Sequence, residues 1–182
     1  MFSYILKRKI QKIQSESGRI TDSFQTYAQA RHILLLCQYS QIKTLQPHIN
    51  KMKQDGKEIA ILAIDTDKHK EKKKNTFDIP DIIDVLKYSD FGRYTHLPSA
   101  NIEKSIQQHS YDVMIDTTSK EDNRITYLAY IIKAAYKMGF KKNEKKNPYQ
   151  FMVQSSQMLT PSEILENLLF YWKKIDIKNN NS

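Results

Sequence analysis

The sequence predicts a three-layer α/β sandwich, with a mostly parallel, Rossmann-like sheet of about five to six strands and an amphipathic helix ahead of it. Three observations carry this. Short runs around Leu35, Leu62 and Met114 are apolar on both faces, as buried parallel strands must be. Segments of helical periodicity alternate with them, which is the pattern of βαβ units joined by right-handed crossovers. With 182 residues, of which 40% are apolar, the chain can build one core and is short for two ordinary domains.

The first element is a helix over residues 2–14. Phe2, Ile5, Leu6, Ile10 and Ile13 form its apolar stripe, and Lys9 falls inside the stripe and must snorkel. A helix this short is marginal alone in water, so it docks on its own domain, on a protein partner or on a membrane surface. Residues 1–24 therefore read as a basic helix and linker, residues 25–175 as the α/β domain, and residues 176–182 as a disordered polar tail.

Residues 31–38 form the first strand. Ser40 is placed to cap the next helix, where Ile42, Leu45, Ile49 and Met52 face inward. Pro47 should kink or split that helix, and Asp55-Gly56 closes it. Residues 58–65 form the second strand and lead into a basic loop. A weaker third strand over 84–88 belongs near an edge, and Pro98-Ser99 opens a helix reaching His109.

The fourth strand is Tyr111–Asp116. Ser119 with Asp122 makes a capping-box pattern. The helix it opens carries Ile125, Leu128, Ala129, Ile132 and Ala135 inward, and holds Tyr127, Tyr130 and Tyr136. Lys137–Phe140 read as a turn into a short strand, and Gln150–Val153 as the last strand. Thr160-Pro161-Ser162-Glu163 is a helix start, with Thr as cap, Pro first and Glu third; Ile164, Leu165, Leu168, Leu169 and Trp172 then face the core.

In such a sheet, ligands bind at the carboxyl ends of strands, beside the point where strand order reverses. With the order 3-2-1-4, Ser40 faces Thr117, Thr118 and Ser119 across that crevice, with Asp65, Asp67 and Asp116 at neighbouring strand ends. These seven are the ligand-binding candidates. Both loops run into helix starts, whose N–H groups favour an anion, but the same residue types also serve as plain turns and caps. Asp65-Thr66-Asp67 could hold a magnesium ion, and Lys68-His69-Lys70 opposes it, so no metal or cofactor is expected. His96 is the histidine nearest the crevice. The Gly-rich dinucleotide and P-loop signatures are missing, and so is the G-x-S-x-G elbow. Cys37 lies in a buried strand and is a poor nucleophile. No residue is assigned a catalytic role.

The net charge of +9 is concentrated in residues 1–31, 68–74 and 141–146, which leaves the body nearly neutral. Lys7, Arg8, Lys9, Lys12, Lys70, Lys72, Lys73, Lys141 and Lys142 are the candidate contacts to an anionic partner. That partner would be nucleic acid such as RNA, the ribosome, or an anionic membrane surface. No strand carries an RNP-type aromatic pattern, so the nucleic-acid signal is electrostatic alone. One cysteine, no long apolar run and no secretory leader pattern predict a cytoplasmic protein without an integral membrane segment.

Two resemblances add to this reading. Tyr111-Asp112-Val113-Met114-Ile115-Asp116, the following helix and Met138-Gly139-Phe140 resemble the N-terminal Rossmann-like half of heptosyltransferase-type glycosyltransferases. That implies the fold. It also implies, as the alternative function, a degenerate or partner-completed transferase-like domain that binds a phosphorylated small molecule. The whole layout, from the basic first helix to Trp172, resembles a family of short bacterial proteins of unknown function seen in Bacteroidota. Together with the charge distribution, this favours a non-catalytic binding or accessory protein.

Overall fold

A computed structural model describes residues 3–16, 24–65, 82–142 and 147–179. Among them, six strands form one parallel sheet: β1 (His32–Gln38), β2 (Glu58–Asp65), β3 (Ile82–Lys87), β4 (Ser110–Asp116), β5 (Lys133–Phe140) and β6 (Phe151–Val153). Their order is β3-β2-β1-β4-β5-β6. Five helices cover the sheet: α1 (Ser3–Glu16), α2 (Ile42–Gln54), α3 (Ala100–Gln108), α4 (Asn123–Ile131) and α5 (Pro161–Asn179). The three doubly apolar runs lie side by side, with Leu35 in register with Ile61 of β2 and Ile115 of β4. No helix among the described residues is long and apolar enough to cross a membrane.

Strand alternation sorts the core into two layers. Ile33, Leu35 and Cys37 face α2 and α5, meeting Leu45, Ile49, Leu165 and Trp172. Leu34, Leu36 and Met114 face the other way, onto Leu6 and Ile10 of α1 and Ile125 and Leu128 of α4. Helix α1 thus docks on its own sheet. Leu6 and Ile10 are fully buried, Ile13 packs at the margin, and Ile5 stays half exposed.

Side-chain hydrogen bonds to the backbone fasten the strand ends. Asp112 Oδ2 accepts from the backbone N–H of Arg31 (2.7 Å) and His32 (2.9 Å), which ties the start of β1 to β4. Burial raises the Asp112 carboxyl, but these hydrogen bonds outweigh it and hold the group below its ordinary value. Lys57 Nζ donates to the carbonyls of Tyr27 and Ala30, and Trp172 Nε1 donates to Gln25 O at 2.7 Å. The segment leading into β1 is therefore clamped between the turn after α2 and helix α5.

Several local expectations are corrected. The helix after β4 ends at Ile131, so Ala135 and Tyr136 lie in β5, and Lys137–Phe140 continue that strand instead of turning. Tertiary pairing overrides the helical propensity of the Ala pair, because β5 takes up the free edge of β4 from Ser110 to Asp116. Asp122, not Ser119, caps α4, accepting from Arg124 N at 2.8 Å. Ser40 caps nothing. It sits in a 3-10 turn, Tyr39–Gln41, and Gln41 precedes α2. Pro47 does not split α2. It lies on the exposed side of a helix that runs from Ile42 to Gln54. Strand β3 starts earlier than expected, at Ile82, and forms the sheet edge. Helix α5 runs on to Asn179, into the stretch expected as a tail. Its start is as read, with Thr160 Oγ1 accepting from Glu163 N (3.3 Å) and Glu163 Oε2 accepting from Thr160 N (2.7 Å).

Candidate functional site

Strand order reverses between β1 and β4, so their carboxyl ends meet where a ligand crevice is expected. Asp116 ends β4 there and is fully buried. Its Oδ1 accepts from Thr118 N (2.8 Å) and Thr118 Oγ1 (2.6 Å). Its Oδ2 accepts from Lys142 Nζ at 2.7 Å and from the Tyr149 hydroxyl. Lys142 Nζ also donates to Thr118 Oγ1. Thr117 N donates to Leu36 O at 3.0 Å, and its hydroxyl turns to the same carbonyl. The polar groups at the reversal point therefore satisfy one another.

Local sequence explains the arrangement. Register places Gly139 of β5 opposite Asp116, and Lys142 leaves β5 just beyond. Gly139 has no side chain, so the Tyr149 ring can lie against the strand; a Cβ there would stand 2.9 Å from Tyr149 Cζ. A buried ion pair is tolerable only when further hydrogen bonds complete it, and here Thr118 and Tyr149 do so. Burial first, then the Asp116 carboxylate, pushes the Tyr149 phenol far above its ordinary value, so it stays protonated and donates. The same causes, burial first, push the Cys37 thiol up to about 12. The cluster is neutral in sum, and each of its side chains is engaged.

The candidate residues are not brought together as one open site. Thr117 and Thr118 are buried and face inward, Ser119 is half-buried, and Ser40 is exposed on its turn. Asp65 ends β2, half-buried. Asp67, Lys70, Lys72 and Lys73 lie outside the described residues. His96 adopts φ 55°, closing a turn in which its N–H donates to Gly92 O at 2.8 Å. Among the basic residues, Lys7, Arg8 and Lys12 are exposed on α1. Lys9 is exposed too, with its ammonium 3.7 Å from Glu103. Lys141 is half-buried, while the Lys142 side chain turns inward onto Asp116. A groove of about 490 Å³ between β6 and α5 is lined, among the described residues, by Phe151, Gln154, Ser155, Asn167 and Tyr171.

Sequence reasoning missed the half-buried Tyr149 and the buried lysines Lys57 and Lys137. Lys137 Nζ donates to the carbonyls of Ala129 (2.7 Å) and Tyr130 (3.1 Å), so a strand lysine caps the end of α4. Burial pulls its pKa down to about 8. The available signals were a lysine between apolar neighbours and a glycine two residues later in one strand.

A family model matches residues 3–175, which take in α1, all six strands and most of α5. The chain belongs to DUF6913, a family of unknown function. The DUF6913 match thus includes the basic helix as well as the sheet. Neither the comparison with curated proteins nor that with solved structures found a match.

Proposed function

We propose that this DUF6913 chain is a non-catalytic binding or accessory protein of the cytoplasm whose basic surface engages an anionic partner. The observation that carries the reading is the presentation of charge by α1. Leu6 and Ile10 clamp the helix to the sheet, while Lys7, Arg8 and Lys12 stand on its exposed sides. A docked helix holds its cations in fixed relation, so attraction to an anionic surface adds over several groups instead of being lost to chain disorder. The filled reversal point supports the non-catalytic part. A phosphorylated ligand would need room beside Thr117 and Thr118, and Tyr149 and Lys142 occupy it.

The test is retention on immobilised poly(U) and on anionic vesicles at low ionic strength, followed by a salt series. Binding that fades as salt rises is expected. Retention on neither at low salt would overturn the reading. For the transferase-like alternative, a thermal-shift series with nucleotides and sugar nucleotides should show no stabilisation. A shift that Thr118→Ala abolishes would reinstate it.

A further inference from the structure

The outer face of α1 carries more than charge. Leu6, Ile10 and Ile13 point to the sheet, so Tyr4, Arg8 and Lys12 form a row on the opposite side at fourfold spacing. Ile5 sits beside that row, one turn and then another from Lys12. Tyr4 is 58% exposed and Ile5 50%. The Arg8 guanidinium lies 5.0 Å from the Tyr4 ring, which keeps cation and ring together on the surface. Residues 3–15 hold no carboxylate. Lys9, the cation nearest the sheet side, is directed to Glu103 and stays out of the row.

We propose that this face of α1 is a docking surface for an anionic lipid bilayer, with Tyr4 and Ile5 entering the headgroup region and Lys7, Arg8 and Lys12 meeting the lipid phosphates. The proposal rests on the anionic-partner reading above and names its partner. Charge complementarity argues for an anionic surface, because the helix sets Lys7, Arg8, Lys9 and Lys12 against a single carboxylate, Glu16 at its last position. The apolar pair argues for lipid over RNA. A bare isoleucine has no planar face to stack on a base, whereas an aliphatic side chain next to an interfacial tyrosine suits the boundary between headgroups and acyl chains. The helix is already held by its inner stripe, so it lies in the plane of the interface and does not cross it.

The experiment is co-sedimentation of the full chain with vesicles of phosphatidylcholine alone and of phosphatidylcholine mixed with phosphatidylglycerol, run beside poly(U) retention. Wild type should sediment with the anionic vesicles and remain free with the neutral ones. Arg8→Gln with Lys12→Gln should weaken vesicle binding about fivefold per charge. Tyr4→Ser with Ile5→Ser keeps every charge and should weaken it roughly tenfold. Both pairs are exposed, and unchanged thermal unfolding of the variants checks that the fold is intact. Vesicle binding unaffected by Tyr4→Ser with Ile5→Ser overturns the lipid seat. So does wild type that binds poly(U) but not vesicles, an outcome that leaves the broader reading standing. Binding to neither removes both.

Discussion

The absent side chain of Gly139 and the ring of Tyr149 are one feature, since a Cβ on the glycine would lie 2.9 Å from Tyr149 Cζ. Through that gap the phenol reaches Asp116. Gly139→Ala should push the ring off the strand and destabilise the protein by about 1–3 kcal/mol. Tyr149→Phe keeps the packing and removes only the donor to the carboxylate, for a loss of about 1.5–3 kcal/mol. Urea unfolding of the two variants and their combination should show strong non-additivity, because both act on the same contact.

Asp116 and Lys142 form the buried pair, with side chains 0% and 7% exposed. Lys142→Met leaves a buried carboxylate without its counter-charge and should cost about 3–5 kcal/mol. Adding Asp116→Asn should recover a large part of that loss, as seen in the denaturation midpoint. If Lys142→Met proves neutral, the pair does not hold the reversal point closed.

Lys137 sets a pH dependence. Burial lowers its folded pKa from 10.5 to about 8. Between those values the unfolded chain binds a proton that the folded chain lacks, so stability rises with pH across that window. The gain should be on the order of 3 kcal/mol. Tyr27 and Tyr127 act in the opposite sense. Burial first, then hydrogen bonds to Asp55 and Glu103, raises their folded values, so above the ordinary phenol value of 10.0 stability falls as pH rises. Chemical denaturation from pH 7 to 11 should show a maximum between the two effects. In Lys137→Met the rise below it should disappear.

Leu6 is fully buried against the sheet. Leu6→Ala should cost about 2–5 kcal/mol. Removing residues 1–16 should lower the melting temperature sharply, which circular dichroism would record. A truncated chain as stable as the whole would show that α1 contributes nothing to the core.

The fold was legible because buried parallel strands announce themselves: Leu35, Leu62 and Met114 each sit in runs with no polar face. The boundary between α4 and β5 was not. Ala134 and Ala135 favour a helix locally, and only the open edge of β4 makes them a strand. The location of the reversal point was readable from topology, but its contents were not. Tyr149 and Lys142 reach Asp116 across 33 and 26 positions of chain, and spacing along a sequence carries no trace of such meetings. Ser40 and Ser119 show the converse, being good cap residues in cap-like positions that the real helix starts bypass.

The packing of α1 on α4 also orders events during biosynthesis. Ser3–Glu16 emerges from the translating machinery long before Asn123–Ile131 exists. Until then Leu6 and Ile10 lack part of their native cover, and the nascent chain exposes an oily, positively charged segment. Chaperones that shield such segments should therefore engage this chain early and release it only once β4 and α4 have been made.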